Sequence, residues 1–445
     1  MKTPSLQRQF AEFAANLDAQ SLPDQVSWAA KRAVIDTLGV MVLGAKHQDI
    51  QTLKEVYADS KGIAYLVGGG QSDWEAAALV NGMAAHIWDY DDTSYTGISH
   101  ASAVILPALL ATADYLGSSS DEVLTAFVAG SEVAYTLGEV TGHGHYFRGW
   151  WATTTQGLVG ATVAVSRLLT RDVDVIEAAL GLACAATSGS RKAIGTSAKP
   201  YLVGDAARRA IAFARMTQAG LSGPKNALEG KGAFLDLLSE NVRSVEPVGK
   251  RWRLIEPGLL QKRYPVCSAA HAALDLMVEM VEKSGVSADN VEEIVAEVPD
   301  LVATSLMFDR PVSLKEAQFC LPYALSCVLS SGGLGLADLG ESEIRSEAKA
   351  LLMEKVRMIA VDDLSTDEMR SRYPESARLK VTLKDGRTLS GFCPEAYGMP
   401  QRPLSDEDLV AKFASCVGID QFTVRQLRDG DLTSIARELF KTRPV

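Results

Sequence analysis

Residues Asn81–Ser102 read NGMAAHIWDYDDTSYTGISHAS, a run of acids and imidazoles between two apolar stretches. Before it stands AAALVNGMAA (Ala76–Ala85) and after it SAVILPALLATA (Ser102–Ala113), both built from small and aliphatic residues patterned for burial. A polar loop carried between two buried segments implies a helical domain large enough to cover both. The same stretch marks where chemistry is expected. His86, Asp89, Asp91, Asp92, Thr93, Tyr95 and His100 are costly to desolvate unless they are paired or functional.

Working outward, the helical pattern holds nearly throughout from residue 1 to about 260. Pro23–Ala45 reads as one helix with Pro23 in its first turn and Val26, Ala30, Ala33, Val34, Leu38 and Met41 on one stripe. Asp121–Thr141, Gly157–Leu169, Val173–Thr187 and Asp205–Gln218 read the same way, rich in Ala, Gly and Leu, which permits close helix packing. After Lys262 the texture changes. Val291–Val298 alternates like a strand, Val356–Val361 is a second candidate, and Ala377–Leu383 and Arg387–Phe392 flank Asp385-Gly386, a strong hairpin signal. Helical stretches Ser268–Ser284, Leu314–Leu329 and Ser342–Lys355 lie between them, and Ser405–Leu439 returns to helix. The expected fold class is therefore mainly α. A large all-α domain, 1–265 with 405–445, carries a smaller α+β lid domain, 266–404.

A chain of 445 residues exceeds one simple core, in keeping with two domains. A hydrophobic content of 47% with 22% charged residues is ordinary for a soluble globular enzyme. The net charge of -11 argues against nucleic acid or an anionic membrane as partner, but leaves room for a small anionic substrate held by local cations. No window of about eighteen apolar residues escapes a charge or a proline, so no membrane span is expected. The opening MKTPSLQRQFAEFAANL lacks the apolar core of a signal peptide; Leu6, Phe10, Phe13 and Leu17 recur instead at helical spacing. A cytoplasmic location is the expectation. The six cysteines are scattered with no CxxC pair, as reduced, buried thiols would be.

Three clusters carry chemical potential. In the first, His86 and Asp89 stand three residues apart and share a helix face, and the loop that follows offers a platform for an acid/base pair with His100. Its bland reading makes Asp91 or Asp92 a cap and His86 a satisfied core histidine. His86, Asp89, His100, His143 and His145 supply metal-ligand types, but without HExxH or CxxC spacing no metal is expected. The second cluster, SGSRKAIGTSAKPYLVGDAARR (Ser188–Arg209), gathers Arg191, Lys192 and Lys199 ahead of a helix expected from Asp205. That arrangement suits either a carboxylate or plain solvent. The third, QKRYPVCSAAH (Gln261–His271), places Lys262, Arg263, Tyr264 and His271 at the domain transition, a preferred position for a cleft. Tyr323 sits in the apolar FCLPYALSCVL, where its hydroxyl needs a partner. GPKNALEGKGAF (Gly223–Phe234) is not a phosphate loop, Gly68-Gly69-Gly70 is not a dinucleotide fingerprint, and no GxSxG is present.

In this order and spacing, NGMAAHIWDYDDT with the following His100, AKPYLVGDAARRA, GPKNALEGKGAF, KRYP, FDRPVSLKEAQFCLPYA and GMPQRPLSDEDLVAKF resemble the MmgE/PrpD family over essentially the full chain. That family includes 2-methylcitrate dehydratases, cis-aconitate decarboxylases and iminodisuccinate epimerases. The resemblance implies a helical domain with an α+β lid, a homodimer, an active site in the cleft, and neither metal nor organic cofactor. It matches Asp89 to the family's active-site aspartate, Thr93 and His100 to the threonine and histidine after it, Lys199 and Lys262 to its two lysines, and Tyr323 to its tyrosine. The chain also departs from the pattern. Trp151, in GWWATTTQG, stands where the decarboxylases and the epimerase carry a histidine, Leu202 replaces a second histidine, and the Thr93–His100 loop is one residue longer than in the decarboxylases. HGHYFRGW, Lys192 and EPGLLQKRYPVC are closer to the epimerase branch, whereas Tyr323 is not an epimerase feature.

Removing a proton or CO2 next to a carboxylate leaves a carbanion, which cations aimed at the carboxylates stabilise best in a water-poor cleft. Lys199 and Lys262, with Lys192 and Arg191, suit that binding role, and Trp150 and Trp151 make one end of the pocket more apolar, for a bulkier or less charged substrate. Asp89 and His100 form the acid/base set, Asp89 orienting the imidazole or taking a proton itself, and Thr93 and Tyr323 hydrogen-bond the substrate. His86, Asp91 and Asp92 fall to structural roles. The expectation is a cofactor-independent lyase of the hydratase/dehydratase type on a small di- or tricarboxylate. The alternatives are an isomerase or epimerase of an amino- or imino-dicarboxylate, and a non-catalytic ligand-binding homologue suggested by the two missing histidines.

Overall fold

A computed structural model describes residues 4–419 and 422–441. The first three residues of the stretch read against a signal peptide, and residues 420–421 and 442–445 of the closing segment, lie outside the described residues. Nearly all of the first half is helix: α1 (Leu6–Asn16), α2 (Asp24–Gly44), α3 (Trp74–His86), α4 (Ser102–Leu116), α5 (Ser120–Thr141), α6 (Ala152–Leu169), α7 (Val173–Ala185) and α8 (Ala198–Gln218). Side-chain caps start several of them. Asp73 accepts from the N–H groups of Glu75 and Ala76 ahead of α3, and Ser119 with Glu122 forms a capping box on α5.

Helix α8 begins seven residues before the expected Asp205, because Pro200 falls in its first turn, where a missing N–H costs nothing. Lys199 is thereby fixed on a helix rather than free in a loop. Helices α3 and α8 touch backbone to backbone: a Cβ on Gly204 would stand 2.1 Å from the Leu79 carbonyl oxygen, and one on Gly82 would stand 2.8 Å from the Gly204 Cα. Only glycine permits that approach, and it brings the first turn of α8 over the last turn of α3, so that Lys199 meets His86. A second link is a two-strand ladder of β1 (Thr93–Ser94) and β2 (Leu259–Leu260), paired Thr93↔Leu260 and Ser94↔Leu259. It carries Lys262, two residues beyond β2, to the loop that follows α3.

Beyond Lys262 the chain builds a four-stranded sheet from β3 (Val291–Val298), β4 (Val356–Ala360), β5 (Ala377–Leu383) and β6 (Thr388–Cys393) in the order β4–β3–β5–β6. Strand β3 runs parallel to β4 and antiparallel to β5, and β5 turns into β6 through Asp385-Gly386, with Gly386 at φ 88°. The helices α9 (His271–Ser284) and α10 (Leu321–Ser331) pack with it. The single helix expected over Leu314–Leu329 is two, Leu314–Ala317 and α10, with Pro322 in the first turn of α10 and Cys320 capping it. Ser342–Lys355 divides likewise into Glu341–Ile344 and Glu347–Met353, where Ser346 caps the second piece.

Buried apolar side chains fall into two main clusters. One gathers the helices of the first half with α11 (Asp406–Val417) and α12 (Leu432–Lys441), and the other runs from Leu260 to Met399 around the sheet. The fold is mainly α with a smaller α+β part. Among the described residues no helix is long and apolar enough to cross a membrane. All six cysteines are unpaired, five of them buried and Cys267 partly so.

Candidate active site

Helix α3 ends at His86, and the chain turns at Asp89, whose φ of +48° lies in the left-handed region. Few side chains tolerate that conformation, aspartate among them, and it costs about 1 kcal/mol. The turn lays the Asp89 carboxylate between two ammonium groups. Lys199 Nζ donates to Oδ1 at 2.5 Å, and Lys262 Nζ donates to Oδ2 at 2.9 Å and to the Asp89 carbonyl at 2.6 Å. Asp89 is 2% exposed and Lys262 not at all. Burial alone would raise the Asp89 carboxyl, but Lys199 and Lys262 outweigh it and hold it well below the usual carboxylate range. For Lys262, burial is outweighed by Asp89 and Asp91, and its ammonium is held above its ordinary value.

Two imidazoles flank this clamp. Lys199 also donates to His86 Nε2 at 2.5 Å, so the His86 proton sits on Nδ1 and is given to the Asp91 carboxylate at 2.8 and 2.9 Å. Burial, opposed by Asp91 and aided by Lys199, pushes His86 down to about 4. Asp91 would be raised by burial, but the two imidazoles facing it hold it well below its ordinary value. His100 Nδ1 donates to the Asp92 carbonyl at 2.7 Å, with Thr93 Oγ1 at 3.3 Å and Asp91 Oδ2 at 3.4 Å. Its backbone N–H is held by Thr153 Oγ1 at 3.0 Å. With Nδ1 committed as donor, the lone pair of His100 Nε2 is left to accept a proton, and no partner meets it among the described residues.

Trp151 closes the group. Its ring lies 5.8 Å from both the His86 and the His100 rings, Lys199 Nζ stands 4.9 Å above it, and its buried Nε1–H has no partner among the described residues. Trp150 turns away and stacks on His145 at 6.2 Å. Phe319, from the α+β domain, covers Lys199 on another side at 5.0 Å. His86, Asp89 and His100 bring three ligand-type atoms within 4.8 Å of one another, a spacing a cation would accept. The Lys199 ammonium, bonded to two of the three residues, fits that space poorly for a second positive charge.

The fold thus brings together Asp89, Thr93, His100, Lys199, Lys262 and Trp151. It adds His86 and Asp91, which the sequence placed in structural roles; the signal was a histidine closing a helix with an acid five residues on. Other candidates engage elsewhere. Arg191 donates to the carbonyls of Tyr146 at 3.3 Å and Thr304 at 2.9 Å and lies 3.7 Å over the Tyr146 ring, tying the helical part to the α+β part. Lys192 is exposed. The Tyr323 hydroxyl donates to the Asp338 carbonyl, with Lys349 5.4 Å over its ring. His143 and His145 are satisfied by Tyr95 O and by Leu238 O with Thr155 Oγ1.

Fold and site together define a two-part, α-rich protein with a buried carboxylate–lysine–imidazole cluster at the junction of its parts. The chain belongs to the MmgE/PrpD family: the MmgE/PrpD N-terminal domain matches residues 8–245 and the MmgE/PrpD C-terminal domain residues 264–429. It is similar to the cis-aconitate decarboxylase of Homo sapiens, 28% identical over 93% of this chain and 88% of that protein. The enzyme of the same name from Mus musculus is 27% identical over 93% and 87%, and that of Aspergillus terreus (strain NIH 2624 / FGSC A1156) 21% over 95% and 91%.

Proposed function

We propose that this chain is a lyase acting on a small di- or tricarboxylate through a carbanion formed beside a carboxylate. The observation that carries the reading is the His100 tautomer: Nδ1 is fixed as a donor to Asp92 O, which leaves Nε2 with its lone pair on a ring 4.8 Å from that of His86, itself bonded to Lys199. A substrate carboxylate competes with Asp89 for Lys199 and Lys262, and the two cations stabilise the developing negative charge where water is excluded. His100 Nε2 takes the proton from the carbon next to that carboxylate. As the C–H pair becomes the new C=C bond, the β-hydroxyl leaves with its bonding electrons and takes a proton from the Lys199 ammonium, so water is the second product. Asp89, held ionised, balances the two lysines rather than taking the substrate proton, and Thr93 supports the His100 ring. The reaction class is hydratase/dehydratase, and a homodimer is the proposed assembly.

One observation favours a second outcome. The curated relatives matched here are cis-aconitate decarboxylases, and loss of CO2 from an unsaturated tricarboxylate would leave a carbanion that the same lysines stabilise. The test is turnover of a panel containing methylcitrate, citrate, the aconitates, malates and aspartate derivatives, read by proton NMR and by CO2 release. Loss of water without CO2 supports dehydration, and CO2 from cis-aconitate moves the assignment to decarboxylation. α-Proton exchange in D2O with neither product selects epimerisation. Binding without turnover across the panel would sink the enzymatic reading of the site.

A further inference from the structure

Glu375 lies just before β5 in the α+β part, 2% exposed, and no cation pairs with it among the described residues. Its Oε2 accepts from the Tyr95 hydroxyl at 2.6 Å and its Oε1 from Ser268 Oγ at 3.0 Å. Tyr95 stands two residues after Thr93, inside the loop that ends at His100. That loop is closed on itself by Ser94 N–H to Ser99 O at 2.9 Å and by Ser99 N–H to Ser94 O at 3.0 Å. Ser268 is six residues after Lys262, in the turn leading to α9. One carboxylate therefore joins the segment bearing Thr93 and His100 to the segment bearing Lys262. His143 Nε2 meets the Tyr95 carbonyl from the far side at 2.9 Å, so Tyr95 is held at both ends.

We propose that Glu375 is a positioning residue, holding the Thr93–His100 loop against the α+β domain through Tyr95 and so setting His100 over the lysine pair. Its activity arm rests on the acid–base role given to His100 above; its structural arm does not. The titratable and charged groups around it are Lys262 and Asp89 in the site, Cys267 beside Ser268, and the hydroxyls of Tyr95 and Tyr146. Burial pushes the Glu375 carboxyl up to about 7 against the opposing pull of Tyr95, Ser268 and Lys262. An ionised carboxylate accepts both hydroxyls at once. A protonated one keeps two hydroxyl partners, one bond reversed, but loses the charge assistance of both, so the hold loosens as pH falls through neutrality.

Hydrogen exchange of the Ser94 and Ser99 amides in the full chain tests this, comparing the parent with Tyr95→Phe and Glu375→Gln from about pH 6 to about pH 8 after correction for intrinsic rates. Tyr95→Phe deletes only the hydroxyl and Glu375→Gln mimics the protonated acid, so melting curves that stay cooperative confirm that both fold. The expected result is exchange about tenfold faster in each variant at the upper pH, the cost of one charge-assisted hydrogen bond. The double variant is expected to be no faster than either single one. The parent loosens as the pH is lowered, and Glu375→Gln does not respond. The kcat/KM for the substrate found in the panel falls in parallel, and its limb near neutrality disappears in Glu375→Gln. Unchanged exchange in both variants, additive effects in the double variant, or faster exchange with full turnover each overturns the positioning role. A parent chain that turns over no carboxylate defeats the proposed function instead, and the exchange measurement still decides the hold.

Discussion

Asp89 and Asp92 are three residues apart, both buried, and pushed in opposite directions from the ordinary carboxylate value. Asp89 meets two ammonium groups and is held ionised. Among the described residues the Asp92 carboxylate meets a single hydroxyl, Ser102 Oγ at 2.7 Å, its Oδ1 has no partner, and the acids Asp36 and Asp91 stand near it. Burial, then Asp36, raises it well above the ordinary carboxylate value. Nearby Asp36 has Lys412 at 2.6 Å, yet burial still raises it. Depth alone does not decide whether a carboxylate carries charge; the number of cations that reach it does.

Breaking that contrast is most costly at Asp89. Asp89→Asn leaves two buried lysines facing a neutral amide; kcat/KM is expected to drop about a thousandfold, and denaturant unfolding should show about 3 kcal/mol of lost stability. That deficit should be full at neutral pH and shrink only in acid. A carboxyl whose folded value is depressed contributes stability above its unfolded value, and loses it as pH falls toward the folded one. Next comes His100→Gln, which keeps a donor for Asp92 O but removes the base. Turnover is expected to fall about 10²–10⁴-fold with little change in melting temperature, and retained activity would take His100 out of the chemistry.

Gly204→Ala sharpens the comparison from one side, because it pushes α8 and its Lys199 away from Asp89 without touching Asp92. The expected cost is about 2–3 kcal/mol by chemical denaturation, with a weakened KM. Asp92→Asn should do least, keeping activity within about threefold, since an amide replaces an acid that burial already biases toward its neutral form. Its signature lies in pH. A raised folded value means Asp92 contributes stability below its unfolded value and loses it as pH rises through the folded one, so parent and Asp92→Asn melting temperatures should converge or cross as pH increases. Parallel melting curves across that range would show Asp92 to be ionised.

How much of this is legible beforehand depends on distance along the chain. The helices around the opening stretch and the strands Val291–Val298 and Ala377–Leu383 follow local periodicity and turn chemistry, and they form where the residues predict. The clamp on Asp89 joins residues 110 and 173 positions apart, and the family resemblance gives Lys199 and Lys262 a substrate carboxylate without saying that they also hold one of the protein's own. Arg191 and Tyr323 carry a local polar signal, but nearby carbonyls of Thr304 and Asp338 take up their donors. Glu375 carries no local signal at all, since a lone glutamate before a strand reads as solvated surface until Tyr95 and Ser268 are placed against it.

The depth of Asp89 also has a bearing on time. With Asp89 2% exposed and His100 7%, a dicarboxylate substrate of the proposed reaction would reach the lysine pair only once the side chains covering it move aside, and its product would leave the same way. On that reading the rate at which Phe319, 5.0 Å from Lys199 Nζ, moves off it would set a ceiling on turnover that no improvement in proton transfer could lift. Raising solvent viscosity should slow such an enzyme at saturating substrate, whereas replacing the substrate's transferred hydrogen with deuterium should leave it almost untouched.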